Sequence, residues 1–254
     1  MRLSSAIKLL PRCLGKSGLL NRRGIIFMFG HMRCYSSLLS HMIGSHPQVA
    51  GYAEMRQKYR NALDLIELAA KIESSTGSPP TDRYHFDKIL LDFTVRDRVL
   101  RRGDLSVIVT SRLPEPTIRS IVKLAACGIL TPNDAIEYYV GRMKTLQQIV
   151  ERRKGRAIYL DAEAVIERPS DTLHRLSGYL GLMPDISENY QMFSKTGVGK
   201  YGDPSPWIKS GKIVKVRDQT SSPEPLPPEI DKAITAHGEL REFCSRHAEA
   251  TIMV

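Results

Sequence analysis

The chain has 254 residues, 42% hydrophobic and 25% charged, which are the proportions of an ordinary globular protein long enough to bury a core. They exclude the disordered, collagen-like and disulfide-scaffold classes, and no apolar run approaches the roughly 20 residues of a membrane span. The net charge of +10 is unevenly placed: Arg2, Lys8, Arg12, Lys16, Arg22, Arg23 and Arg33 all precede Glu54, the first acidic residue. That balance suits a polyanionic ligand, nucleic acid or an anionic membrane surface. No RNA-binding RNP run, zinc finger or heptad repeat accompanies the charge, which sets nucleic acid aside. Cys13, Cys34, Cys127 and Cys244 lie far apart without metal-ligand spacing, so no zinc or other metal site is expected. A reduced, cytoplasmic setting is the expectation.

Residues 1–23 form a basic segment with Ile7, Leu9, Leu10, Leu14, Leu19 and Leu20 at loosely helical spacing. A transit peptide and a membrane-surface helix share this flavour. Pro11 and Gly15 interrupt the amphipathic face, which favours a surface helix leading into the first strand. From residue 24 to 254 a single domain is expected. Gly24–Phe29 reads as a central strand buried on both faces. Ser36–Ser45 reads as a helix stopped at Gly44 and His46-Pro47. Val49–Ala53 reads as a strand and Tyr59–Glu73 as a helix. Residues 74–86 form a polar, Pro-rich loop before strands at Ile89–Phe93 and Ser106–Ser111. Helices are expected at Glu115–Cys127 and Pro132–Lys154, the second capped by Thr131 with Pro132 at its first position. Ala157–Asp161 is a strand and Ser170–Leu180 a helix ending at Gly181. Residues 181–228 are loop-rich, and Glu229–His247 is a closing helix. Strands joined by helical crossovers predict an α/β fold, a three-layer sandwich around a central parallel sheet. In such sheets ligands sit beyond the carboxyl ends of the strands, so the loop after the first strand matters most.

That loop reads Phe29-Gly30-His31-Met32-Arg33-Cys34-Tyr35-Ser36-Ser37-Leu38. Unpaired backbone N–H groups at a helix N-terminus favour an anion, and Arg33 adds a permanent forked charge. An N-capping serine pair beside a solvated arginine would leave the same letters. Gly-Lys-Ser/Thr, the mark of the nucleotide-kinase phosphate loop, is missing, so a kinase on a similar sheet is a distant alternative. A helix N-terminus would lower the pKa of Cys34. A cysteine-phosphatase loop, however, needs an arginine six positions on, where Ser40 stands.

The stretch GHMRCYSSLLSHMIGSHPQVAGYAE resembles the 5′-phosphosulfate loop, helix and following strand of the sulfotransferases, in the carbohydrate and bacterial branch. That branch often runs G-x-P-R-S-G-S/T-S/T-L-L, then HPxV and a glutamate. This chain keeps Gly30, Arg33, Ser36, Ser37, Leu38, Leu39, His46, Pro47, Val49 and Glu54. It departs with Met32, Cys34 and Tyr35, the last in place of a glycine that lets backbone wrap an anion. The resemblance implies a phosphate-loop, sulfotransferase-type fold. It implies donor binding by Arg33, Cys34, Tyr35, Ser36, Ser37 and Leu38, with the 3′-phosphate held by Arg112 and by Ser120, eight residues later. The late segment KYGDPSPWIKSGKI resembles the loop, about 195–214, that closes over the nucleotide; it offers Lys200, Tyr201, Trp207, Lys209, Ser210 and Lys212. The implied co-substrate is 3′-phosphoadenosine 5′-phosphosulfate and the product 3′-phosphoadenosine 5′-phosphate, with no metal.

The implied chemistry is in-line transfer to an acceptor hydroxyl, close kin to phosphoryl transfer, in which positioning and electrostatics carry most of the catalysis. Arg33 and the loop amides would take the leaving charge, Lys88 would contact the sulfuryl group, and Glu54 would be the base. His31 is the substitute base. Lys88 as a partner of Asp87, and Glu54 as a partner of Arg56 or Arg33, are the ordinary structural alternatives. A relative that binds the nucleotide without turnover is the other functional reading. The acceptor would be a small molecule, glycan or lipid hydroxyl. The basic N-terminus leaves room for peripheral membrane contact, and a homo-oligomer stays open.

Overall fold

Backbone continuity across a buried sheet explains most of the architecture. A computed structural model describes residues 23–77, 82–92, 94–124, 128–129, 131–194, 196–198, 203, 205–214 and 225–254. The basic segment before Arg23 therefore lies outside the described residues, as do Cys127, Lys200 and Tyr201. Strands β1 (Gly24–Phe29), β2 (Val49–Ala50), β3 (Tyr84–Ile89), β4 (Leu105–Ser111), β5 (Ile158–Asp161) and β6 (Ala250–Ile252) form one sheet. Its order is β2-β3-β1-β4-β5-β6, and every pairing is parallel.

The helices are α1 (Ser36–Gly44), α2 (Ala62–Thr76), α3 (Asp97–Leu100), α4 (Pro114–Lys123), α5 (Pro132–Arg153), α6 (Ala164–Glu167), α7 (Pro169–Leu180) and α8 (Ile230–His247), with a 3₁₀ turn at Pro206–Ser210. All six residues of β1 are buried, as a strand covered on both faces must be. Its alternation divides the core. Ile25, Phe27 and Phe29 join Leu68, Ile72, Ile118, Met143, Leu146 and Leu240 of α2, α4, α5 and α8. Ile26 and Met28 join Leu39, Met42, Ile43, Leu173 and Leu176 of α1 and α7. The expected three layers are thus present. No helix among the described residues is long and apolar enough to cross a membrane.

Local chemistry sets several boundaries. Thr131 caps α5 by accepting from the Asp134 N–H, and the Asp134 side chain returns the bond. Asn61 and Asp64 make the same box for α2, which starts at Ala62 and ends before Gly77 at φ 74°, rather than spanning 59–73. The loop expected over 74–86 is shorter than expected, because β3 begins at Tyr84. The strand expected at Ile89–Phe93 is therefore displaced toward the N-terminus. Asp87-Lys88 breaks the apolar pattern of YHFDKI, yet every residue from His85 to Ile89 is buried. The three-residue β6 and the one-turn helices α3 and α6 carry no periodicity of their own. Tertiary pairing makes β6, which lies along β5 from Ala250↔Ile158 to Ile252↔Leu160.

The sheet sets the site. Phe29 at the end of β1 is level with Ile89 on one side and Val109 on the other. From those neighbouring ends the chain departs in opposite directions, toward β2 and β3 after β1 and toward β5 after β4. The crevice between them is where such a sheet holds ligands.

Candidate active site

The loop after β1 turns at Gly30, where a Cβ would stand 2.9 Å from the Cys34 sulfur and 3.1 Å from Thr110. Arg33 and Tyr35 then adopt left-handed backbone, at φ 67° and 54°. Non-glycine residues rarely do so, and such outliers cluster where a site is pre-organised. Tyr35 is the N-cap of α1, without a side-chain capping bond, and no acidic residue lies in the first turn. Ser36 and Ser37 are inside the helix rather than capping it. The Tyr35 ring is engaged as well: the Arg112 guanidinium lies 4.3 Å over its centroid.

Arg33, Arg112 and Ser120 converge. Arg33 Nε donates to Ser120 Oγ at 2.7 Å, and Arg112 Nη1 donates to the Arg33 carbonyl at 3.2 Å. Arg112 and Ser120 are 4% and 5% exposed, so this cationic corner is built into the fold rather than solvated. Two carboxylates adjoin it. Glu163 Oε1 lies 4.0 Å from Arg112 Nε, and Asp203 Oδ1 lies 3.5 Å from Arg33 Nη1.

A second cluster lies beside it. Lys88 is the fifth residue of β3, at the carboxyl end of the strand rather than at its start. It is 2% exposed, and Nζ approaches Ser37 Oγ at 3.5 Å. Burial pushes its pKa down, opposed by the Glu54 carboxylate. Burial pushes Glu54 up, opposed by Lys88, Arg56 and Arg142. Glu54 Oε2 lies 3.9 Å from Arg56 Nε, while Oε1 is buried without a hydrogen-bond partner among the described residues. A carboxylate with one oxygen unengaged, in a partly desolvated site beside an ammonium, can accept a proton.

His31 has a different post. Its Nδ1 faces the Met32 carbonyl at 2.8 Å and its Nε2 accepts the Arg112 N–H at 2.9 Å, which fixes the neutral tautomer. The ring is fully buried, and burial holds its pKa down to about 3. With both nitrogens spent, it ties the loop after β1 to the end of β4 and has no lone pair for an acceptor. The unfolded chain takes up this proton first, so stability is lost as pH falls below the ordinary value of 6.5 toward 3. His237, held down to about 4, acts in the same direction, whereas Asp87, raised to about 7, opposes it. Replacing His31 with Gln reduces the slope of unfolding free energy by about 1.2 kcal/mol per pH unit between pH 6 and 5. Urea denaturation at the two pH values measures it, and an unchanged slope contradicts the assignment.

Cys34 departs from the low-pKa expectation. It is buried, its thiol donates to the His31 carbonyl, and desolvation raises its pKa. Leu38 packs on the α1 side of the core. His41 and His46 serve packing and helix-end roles, bonding Ser37 and Thr196, and Pro184. In the late loop Asp203 donates its N–H to Ser37 Oγ at 3.0 Å, bringing that loop onto the first turn of α1. Trp207 is 47% exposed, and Ser210 Oγ is used within its own turn, 2.7 Å from the Trp207 carbonyl and 2.8 Å from that of Lys212. Lys209 is exposed; Lys212 pairs with Asn189.

Sequence reasoning missed the braces from α5. Tyr138 accepts the Met32 N–H at 2.9 Å, Tyr139 donates to the Arg112 carbonyl at 2.5 Å, and Arg142 donates to the Gly30 carbonyl at 2.6 Å. Their spacing of one, three and four residues on a helix was the available signal. Among the described residues no three His, Cys, Asp or Glu side chains gather as metal ligands would.

No family model matches the chain, and no curated protein does. Among solved structures it is similar to the sulfotransferase domain from the curacin biosynthetic pathway. The TM-score is 0.57 and the identity 17%, over 86% of this chain and 98% of that one. A likeness at that identity is one of backbone, and it says that the chain has the sulfotransferase fold.

Proposed function

We propose that this chain transfers a sulfuryl group from 3′-phosphoadenosine 5′-phosphosulfate to an acceptor hydroxyl, with Glu54 as the base. The observation that carries this reading is the side-by-side placement of two clusters at one sheet edge. Arg33, Arg112 and Ser120 offer charged and hydroxyl donors suited to phosphate oxygens, Lys88 approaches Ser37 in the first turn of α1, and the Glu54 carboxylate is near enough to oppose the loss of the Lys88 charge. The donor set fits a polyanion with two phosphate positions. When bound, the donor supplies an activated sulfuryl group and leaves as a phosphate.

The division of labour follows from position. The uncapped first turn of α1 and Arg33 hold the 5′ side and stabilise the charge that develops there. Arg112 and Ser120 hold the 3′-phosphate. Lys88, buried and beside the first turn of α1, faces the sulfuryl oxygens. Glu54 holds the acceptor proton on Oε1. The Asp203 contact with Ser37 makes the late loop the cover that keeps water from the reacting groups. Trp207, Lys209 and Lys212 belong to the same cover; the expected Lys200 and Tyr201 lie outside the described residues. The acceptor is a small-molecule, glycan or lipid hydroxyl that approaches on the Glu54 side.

Calorimetry with 3′-phosphoadenosine 5′-phosphate tests the binding half of the reading, and absence of heat at millimolar ligand overturns it. Incubation with ³⁵S-labelled donor and fractionated cell extract tests the transfer. Label must appear in an acceptor fraction; binding without label in any fraction leaves a nucleotide-binding protein and ends the enzymatic assignment.

A further inference from the structure

Asp87 is buried in β3, one residue before Lys88, and its side chain points to the opposite face of the sheet. Both its oxygens are engaged by the segment that carries Glu54. Oδ1 accepts the Met55 N–H at 2.8 Å and Oδ2 accepts the Tyr59 hydroxyl at 2.5 Å. The Met55 peptide is held from its other side as well, because Lys71 Nζ of α2 donates to the Met55 carbonyl at 3.3 Å. Tyr59 is itself fully buried and tied at both backbone groups, its N–H to the Thr94 carbonyl and its carbonyl to the Arg96 N–H. Between these anchors Arg56 is forced into left-handed backbone at φ 50°. A strained non-glycine residue persists only where its surroundings over-determine it, and here the strain adjoins the candidate base.

We propose that Asp87 is a positioning residue: with Tyr59 it clamps the 54–59 segment so that the Glu54 carboxylate stays beside Lys88. This deepens the reading of Glu54 as base and rests on it. The clamp works through acceptor geometry. Each Asp87 oxygen faces a donor, so the ionised carboxylate fits and a protonated one must give up or reverse one bond. The groups facing Asp87 are Glu54, Met55 and Tyr59 from the preceding segment and Lys88 from its own strand; Asp64 and Glu67 of α2 face Tyr59 behind it. Burial and the charge of Glu54 raise Asp87 to about 7.

The test uses the full chain carrying Asp87→Asn or Tyr59→Phe. Asp87→Asn leaves one acceptor oxygen where two donors face the carboxylate, and lowers kcat about 10- to 100-fold, the cost of a misplaced reacting group. Calorimetric affinity for 3′-phosphoadenosine 5′-phosphate stays at the wild-type value, and the acid limb of kcat moves toward the ordinary glutamate value as Glu54 leaves its buried place. Tyr59→Phe removes one of the two bonds, so kcat and the limb move the same way. A residue that merely stabilised the fold would change neither the limb nor the kcat of the folded fraction. Wild-type kcat and an unmoved limb in Asp87→Asn overturn the proposal; if that variant does not fold, wild-type kcat in Tyr59→Phe does so. Carboxyl ¹³C titration of Glu54 separates the two levels of inference. A wild-type protein that transfers no label ends the enzyme reading, and a Glu54 titration unchanged by Asp87→Asn ends the positioning role of Asp87.

Discussion

Glu54→Gln lowers turnover at saturating donor by about 10²- to 10⁴-fold, the usual share of a general base, while binding of 3′-phosphoadenosine 5′-phosphate stays near its wild-type strength. The substitution is nearly isosteric, and the position is half-buried, so the fold has no cavity to absorb. What disappears is the proton-accepting oxygen. Glu54 Oε1 has no hydrogen-bond partner among the described residues, and Oε2 has only a 3.9 Å approach from Arg56. Few hydrogen bonds therefore depend on the carboxylate, and the charge that the substitution removes is one that opposes the desolvation of Lys88. Because burial raises the Glu54 pKa despite Lys88, Arg56 and Arg142, wild-type kcat falls on the acid side at a higher pH than an ordinary glutamate would set. That limb is absent in Glu54→Gln. A rate assay across pH with calorimetry on both proteins measures the effect. Wild-type turnover in Glu54→Gln removes Glu54 from the mechanism, and the neutral, doubly bonded His31 offers no replacement in this geometry.

Arg112→Ala weakens binding of the same nucleotide by roughly 1.5–3 kcal/mol, the range for hydrogen bonds to charged groups, or about 10- to 150-fold in Kd. A contact to a 3′-phosphate remote from the reacting sulfur is made alike in ground and transition states, so affinity changes more than kcat. The structure adds a second loss. Arg112 also holds the Arg33 carbonyl and stacks on Tyr35, the two residues of the loop with left-handed backbone. Its removal frees the strained turn as well as the charge, and leaves Glu163 facing the incoming phosphate. The result falls at the upper end of the range. Arg112→Lys restores a charge but neither the planar stack nor the second arm, and recovers only part of the affinity. Unchanged affinity in Arg112→Ala removes the 3′-phosphate from this corner.

Both variants depend on features with different legibility. The strand Gly24–Phe29, the helix that starts at Ser36 and the capped helix at Pro132 were readable because each is written in local terms: an apolar run, a helix start, a Thr131–Asp134 box. The loop between the first two carried Arg33 and its serines in order, and Arg112 and Ser120 stood at a strand end and one helix turn pair later. Charge alone pointed to an anionic partner. The segment Tyr84–Ile89 was hidden for the reason that makes it useful: its buried Asp87-Lys88 pair breaks the apolar pattern of a strand in order to serve the site.

The sequence by itself determined the α/β class, the anion loop and the identity of the charged side chains, because these follow from neighbours within a few residues. Only the tertiary structure decided which of those side chains meet. Arg142 reaches Gly30 across 112 positions and Asp203 reaches Arg33 across 170, and no periodicity encodes such distances. Protonation was decided there too. His31 and Glu54 are ordinary titratable residues as letters, and burial drives one down to about 3 and the other up. Desolvation penalises whichever form is charged, and how far each group is desolvated depends on what the rest of the chain packs around it.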